Sequence, residues 1–203
     1  GSLATMTSSD NITWTGTFTP SSDVEDATNV MSLATSYTDT AGNAGPSATT
    51  DNYAIDTIRP TVAAFTMSDT ALISGETSTV TLQFSEAVAS FSSSADITVQ
   101  NGSLATMTSS DNITWTGTFT PTSDVEDATN VLTLATTYTD TAGNAPASTS
   151  TTDNYTVDTT AATVVAFTLS DSALKIDDTA TVTLQFSEAV AGFSSDADVT
   201  VQN

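Results

Sequence analysis

"NITWTGTFTP" runs from Asn112 to Pro121, and its letters alternate. Ile113, Trp115, Gly117 and Phe119 fall on one side, Thr114, Thr116, Thr118 and Thr120 on the other. A period of two marks a strand with one face in a core and one in water. Few apolar residues together with a high net charge would otherwise suggest disorder, but a disordered chain does not keep such a phase. The same ten letters stand at Asn11 to Pro20.

The match extends outward from there. "GSLATMTSSDNITWTGTFTP" occupies residues 1–20 and 102–121, and "TVTLQFSEAV" occupies Thr79 to Val88 and Thr181 to Val190, so two periods of about 101 residues fill the 203-residue chain. Two stretches read as connections between units, "DNYAIDTIRPTVAAF" from Asp51 and "DNYTVDTTAATVVAF" from Asp153. In each a strand ends, Asp-Thr follows, and a new apolar alternation begins. Borders near 58 and 160 result. They give the last strands of one repeat (1–58), a complete repeat (59–160) and the first strands of the next (161–203). Because "VQN" closes the chain and "VQNGSLATM" runs through Asn101 and Gly102, the sequence reads as a window from a longer tandem array. The two partial repeats are complementary, and either alone would leave a sandwich open.

Within the complete repeat, strands are expected at 61–68, 78–86, 96–101, 103–109, 112–120, 131–138 and 147–157. Loops are expected through "SDTALISGETS" and "SDVEDATN", with a hairpin turn at Asn101-Gly102. Helical spacing is absent. Seven short strands in about 100 residues define the fold class: all-β, tandem immunoglobulin-like β-sandwiches without disulfides, end to end. Trp14 and Trp115 share a face with Ile and Phe of their strands, so core packing is favoured over a carbohydrate platform. The threonine rows read as the solvated face.

Charge excludes much else. Twenty-four acidic residues face two basic ones, Arg59 and Lys175, for a net charge of −22. Nucleic acid and acidic lipid would be repelled. Without Cys or His there are no disulfides, thiolate zinc sites or imidazole bases. No run approaches the ~18 apolar residues of a membrane helix, and no signal peptide is visible. Paired carboxylates can serve an enzyme as acid and base, but here they lie at loop ends of a repeat with no pocket aromatics to spare.

The acids sort to the two poles of the sandwich. At the first junction the order of strands gathers Asp23, Glu25, Asp26, Asp56, Glu86, Asp96 and Asp140; at the second it gathers Asp124, Glu126, Asp127, Asp158, Glu188 and Asp198. Asp39 is the counterpart of Asp140 in the first segment. Carboxylates crowded without Lys or Arg repel by several kcal/mol at ~4 Å, so a cation is called for. Ca²⁺ suits such a site, since it takes six to eight oxygens in a forgiving geometry, whereas Mg²⁺ demands a tight octahedron. Glu86 follows Phe84 by two and so points to the rim of the core, where a metal would satisfy it. In "DTAGN", Gly143 permits a tight turn and Asn144 offers a side-chain carbonyl.

The segments "TLQFSEAV", "ADITVQNGSL", "VEDATN", "YTDTAGNA" and "DNYTVDTTA", taken in this order, resemble the bacterial immunoglobulin-like repeats of very large surface adhesins, including repeats-in-toxin (RTX) adhesins of biofilm and ice-binding bacteria. The similarity covers the whole chain. It implies an extracellular extender at the bacterial cell surface, exported by type I secretion, in which neighbouring identical repeats are the partners, calcium stiffens the linkers and a distal domain does the binding. By motif position the calcium role falls on Asp56, Glu86, Asp140, Asp158 and Glu188. Ala162 departs from the pattern, since Pro60 stands in the other linker. The alternative is a binding module whose threonine faces contact ice or glycans. Neither reading involves nucleic acid, membrane insertion or a small-molecule substrate.

Overall fold

The computed structural model describes residues 1–202; Asn203, which ends the 161–203 segment, lies outside the described residues. The alternation around Trp115 does form a strand, Thr114–Pro121, the longest among the described residues. It lies between Gly102–Leu104 and Ser78–Phe84, and Val62–Met67 completes a four-stranded antiparallel sheet. Its inner face is apolar because each strand turns every second residue inward: Phe65, Val80, Leu82, Phe84 and Phe119 are buried. Gly102 is required where that sheet begins, since a β-carbon there would sit 2.2 Å from the Phe119 ring.

A second layer covers this face. Glu126–Asn130 pairs with Tyr155–Asp158, which in turn pairs in parallel with Ala71–Ile73. Ile97–Thr98, Thr133–Leu134 and Ser150–Thr151 form a further ladder, and Val88–Ala89 pairs with Thr139–Asp140. The layer contributes Leu72, Ile97, Leu132, Leu134, Tyr138, Tyr155 and Val157 to one continuous core. Burying each large apolar side chain stabilises the fold by about 1.5–3 kcal/mol, which offsets the ordering of a chain without disulfides or metal-binding cysteines. Phe91 meets Phe84, Tyr138 and Trp115 edge-on at one end, with ring centroids 4.9 Å apart for the Trp115 contact. Trp115 thus packs against the core, although its buried indole N–H lacks a partner.

Several expected boundaries shift. "SDVEDATN" is not a loop: Glu126–Asn130 is a strand, and so is its counterpart Glu25–Asn29. Both are bulged, because the carboxylates of Asp127 and Asp26 accept the backbone N–H two residues on (Thr129 and Thr28, 2.9 Å each) and break the ladder. "SDTALISGETS" holds the Ala71–Ile73 strand. The segment expected to start a strand at 96 begins instead as a single helical turn, Ser93–Asp96. Asn101-Gly102 is not a hairpin turn but a passage between layers: Ile97–Thr98 and Gly102–Leu104 pair with different partners. The expected strand at 147–157 is interrupted before Tyr155, where the Asn154 side chain takes over ladder bonding to Asn130 N–H and Ala128 carbonyl.

The direction of the strands fixes where the site falls. Val62–Met67 leaves the pole that carries Glu86, and Tyr155–Asp158 runs parallel to Ala71–Ile73 toward the other pole. The chain therefore enters the complete repeat at one end and leaves at the opposite one. No helix among the described residues is long and apolar enough to cross a membrane.

Candidate metal centre

At the pole where the chain enters, one carboxylate oxygen each from Asp56, Glu86 and Asp140 lies within 4.8 Å of the others. These residues come from different parts of the chain. Asp56 ends the Tyr53–Asp56 strand of the preceding segment, Glu86 follows Ser78–Phe84, and Asp140 ends Thr139–Asp140. Asp140 is almost fully buried, with Asp56 and Glu86 partly so. Glu25 stands directly opposite Asp56 in the antiparallel ladder, so a fourth acid shares the neighbourhood.

Local chemistry accounts for Asp140. Its Oδ1 accepts the backbone N–H groups of Ala142, Gly143 and Asn144 at 2.9, 2.7 and 2.8 Å, while Oδ2 accepts Asn144 Nδ2 at 2.8 Å. This turn needs the left-handed backbone of Gly143, whose φ is +97°. Burial pushes the Asp140 carboxyl up, but these hydrogen bonds outweigh it and hold it below the ordinary 3.8. Asp39 makes the same turn through Ala41, Asn43 and the Asn43 side chain.

Glu86 is the opposite case. Among the described residues nothing donates a hydrogen bond to its carboxylate. Burial, then the charges of Asp140, Asp56 and Glu25, push its carboxyl above the ordinary 4.5. No protein cation relieves it: the one ion pair among the described residues is Lys175 to Asp178, and the Arg59 guanidinium donates to the Ala145 carbonyl at 2.8 Å. The donors available here are all hard oxygens, from carboxylates and nearby carbonyls, and this set suits Ca²⁺ or Mg²⁺ and not zinc or copper.

The other expected site residues lie elsewhere or act differently. Asn144 does not present its carbonyl; its Nδ2 faces the acids as a donor, reaching the Asp56 backbone carbonyl at 3.2 Å as well as Asp140. Asp96 is buried in its helical turn, where it accepts the Ser92 N–H at 2.8 Å and the Thr137 hydroxyl, so it organises a loop and stands outside the cluster. Its counterpart Asp198 caps the equivalent turn through the Ser194 N–H, exposed. Asp26 and Asp127 are spent on their bulges, and Asp127 also accepts Asn101 Nδ2 at 2.8 Å. Asp23 and Asp124 are exposed turn residues with φ of 57° and 56°.

At the second junction Glu126 opposes Asp158 just as Glu25 opposes Asp56. Asp158 is exposed and Glu188 partly buried, and among the described residues no third acid closes on them. Sequence reasoning missed the threonines that fix the linkers. Thr57 Oγ1 donates to the Ser21 carbonyl at 2.8 Å and accepts the Val24 N–H, and Thr159 Oγ1 does the same with Thr122 and Val125. The signal was present in the Asp-Thr pair that both linkers share.

Sandwiches joined through acid-lined seams define a class: a tandem array of immunoglobulin-like modules in series. Residues 1–55, 56–157 and 158–203 each match the family model described as bacterial Ig-like domain, and the chain belongs to that family. Its domains are structural modules, often found in extracellular surface proteins of bacteria. Comparison with curated proteins and with solved structures returned no match.

Proposed function

We propose that the chain is part of a calcium-stiffened extender of a bacterial surface adhesin of the RTX type, in which repeated sandwiches hold a distal binding domain away from the cell. The observation that carries this reading is the Asp56–Glu86–Asp140 cluster, which joins the linker of one module to two loops of the next and has no basic side chain to neutralise it. A calcium ion held by these three carboxylates, with waters and nearby carbonyls, would tie the end of one module to the start of the next. The ion supplies the charge that the acids lack. The protein supplies orientation: the Asp140 turn is preformed, Asn144 ties that turn to the Asp56 backbone, and Thr57 fixes the linker on its other side. Freezing the linker removes a hinge, a cost that coordination more than offsets. In this reading the chain is not an enzyme, and its threonine rows, such as exposed Thr66 and Thr116 on either side of the partly buried Thr81 across three strands, are a solvated outer face and not an ice or glycan surface.

Calorimetric titration of calcium into the chain tests the proposal, with small-angle scattering before and after chelation. Heat with a defined stoichiometry and a longer, stiffer particle in calcium are expected. Absence of a calcium heat at the Asp56 junction, or scattering unchanged by chelator, refutes it.

A further inference from the structure

Amides hold the crossing between the two layers at Asn101-Gly102. Asn101 adopts left-handed backbone there, with φ of 48°. Its half-buried side chain is fixed through both N–H groups, since Nδ2 donates to Asp127 Oδ2 at 2.8 Å and to Asn130 Oδ1 at 2.6 Å. Asn130 is buried and donates in turn to the Asp127 and Tyr155 carbonyls at 3.0 and 3.1 Å. On the flanks, the Thr122 N–H donates to the Asn101 carbonyl at 2.9 Å, the Val131 N–H to Gln100 Oε1 at 2.8 Å, and the Tyr155 hydroxyl to the Gln100 carbonyl. The two oxygens that face Asn101 Nδ2 are both acceptors, so the crossing needs a donor at this position.

Asn-Gly is a chemically labile pair, and this chain contains it once. With no side chain on the second residue, its backbone nitrogen can reach the asparagine Cγ. A bond forms between that nitrogen and Cγ, the bond from Cγ to Nδ2 breaks, and ammonia leaves carrying the proton the backbone N–H gave up. Water then opens the five-membered imide to aspartate or to an isoaspartyl linkage, in which the main chain runs through the former side chain. Both residues are nonetheless required where they stand. A β-carbon at 102 would meet the Phe119 ring at 2.2 Å, and position 101 calls for an amide donor on left-handed backbone, which asparagine tolerates. The fold that imposes the pair also shields it. The Asn101 amide is pinned to Asp127 and Asn130, and Gly102 is held opposite Pro121 in the ladder, so Cγ and the Gly102 nitrogen are not free to close a ring.

We propose that Asn101-Gly102 is a self-modification site that the folded module holds shut and unfolding opens, so that a module left unfolded is converted to a form that no longer rebuilds its layer crossing. In the product a carboxylate at 101 faces the Asp127 carboxylate and the Asn130 oxygen, three acceptors with no donor among them at a half-buried point. The isoaspartyl product also adds one carbon to the main chain where Ile97–Thr98 and Gly102–Leu104 must reach different partners. Protection and penalty arise from the same two hydrogen bonds. Brief opening is harmless because the chemistry is slow, whereas prolonged opening retires the module. The site works without an ion and is independent of the Asp56–Glu86–Asp140 cluster.

Peptide mass spectrometry of the full chain, aged in mildly alkaline buffer with and without denaturing urea, reads the conversion at Asn101 directly. The other asparagines serve as internal controls. In urea Asn101 should convert ahead of every other asparagine, and in buffer about tenfold or more slowly than in urea. Equal rates in the two conditions, or no preference for Asn101 in urea, overturn the proposal. On dilution from urea, the fraction that regains the parent melting transition should fall in step with conversion; converted chains that refold to the parent transition refute the penalty. Two variants locate its cause. Asn101→Asp should melt roughly 5–15 °C below the parent, and adding Asp127→Asn, which returns a donor to the pair, should recover part of that loss. Where Asn101→Asp does not fold, recovery of folding in the double variant is the same result. A single variant that melts like the parent, or a double variant no better than the single, refutes the account of facing acceptors.

Discussion

Replacing Glu86 by Gln removes one charge from the cluster and keeps its shape. Two unit charges 4.8 Å apart repel by about 3.5 kcal/mol at an effective dielectric of ~20. Glu86 faces two partners no farther away than that, Asp56 and Asp140, so the unscreened repulsion in the absence of a cation is about 7 kcal/mol. Water on the open side and salt reduce this, and about 2 kcal/mol is a reasonable remainder. In chelator the variant should therefore melt roughly 8–16 °C higher than the parent, taking a domain of about 100 residues. In calcium the order should invert. At a hundredfold excess over Kd, binding stabilises the parent by about 2.7 kcal/mol, and the variant loses a ligand and most of that gain. Paired calorimetric melts, with calcium and with chelator, make the measurement. A variant less stable than the parent in chelator, or one that gains as much from calcium, would show that Glu86 serves packing and not a cation.

The pH dependence follows from the same two acids. Because the folded Glu86 carboxyl lies above its ordinary 4.5, its ionised form destabilises the fold, so in chelator the melting temperature should rise as pH falls through the raised value toward 4.5. Asp140 lies below 3.8, so its contribution is present above that value and should be lost only as pH falls further; calcium should abolish the first trend, and a flat profile in chelator would contradict it. Gly143→Val should cost about 1–3 kcal/mol through the left-handed backbone and lower calcium affinity together with it, which urea melts and titration would report. Thr159→Val should leave the complete repeat folded but broaden the scattering envelope, since the Thr122 and Val125 contacts at the second linker go with the hydroxyl. Leu82→Ala should cost about 2–5 kcal/mol by opening a cavity in a site with no exposed surface.

Much of the fold was legible because strands announce themselves by alternation, and Trp115 and its neighbours keep phase over eight residues. The acids were less readable. Glu86 and Asp140 stand next to strands of clear phase, so their pole could be placed, whereas Asp26 and Asp127 sit where polar side chains rewrite the backbone pattern into a bulge. A run such as "VEDATN" carries no apolar alternation, and its strand character comes from pairing with Tyr155–Asp158, a partner some thirty residues away that local sequence does not reveal. Asp96 was misplaced for a similar reason: its burial depends on Thr137 across the second layer. Asn144 was placed at the right turn with the wrong polarity, since composition does not tell which end of an amide faces a carboxylate.

The parallel pairing of Ala71–Ile73 with Tyr155–Asp158 has a mechanical consequence. Both segments lie at the pole where the chain leaves the module, with Ile73 opposite Asp158, and a pull on the outgoing linker slides Tyr155–Asp158 along Ala71–Ile73. The load then falls on all their hydrogen bonds at once, where an antiparallel closure would open bond by bond like a zipper. A seam latched in this way resists sliding up to a threshold and then yields abruptly, because no single bond can give way before the others.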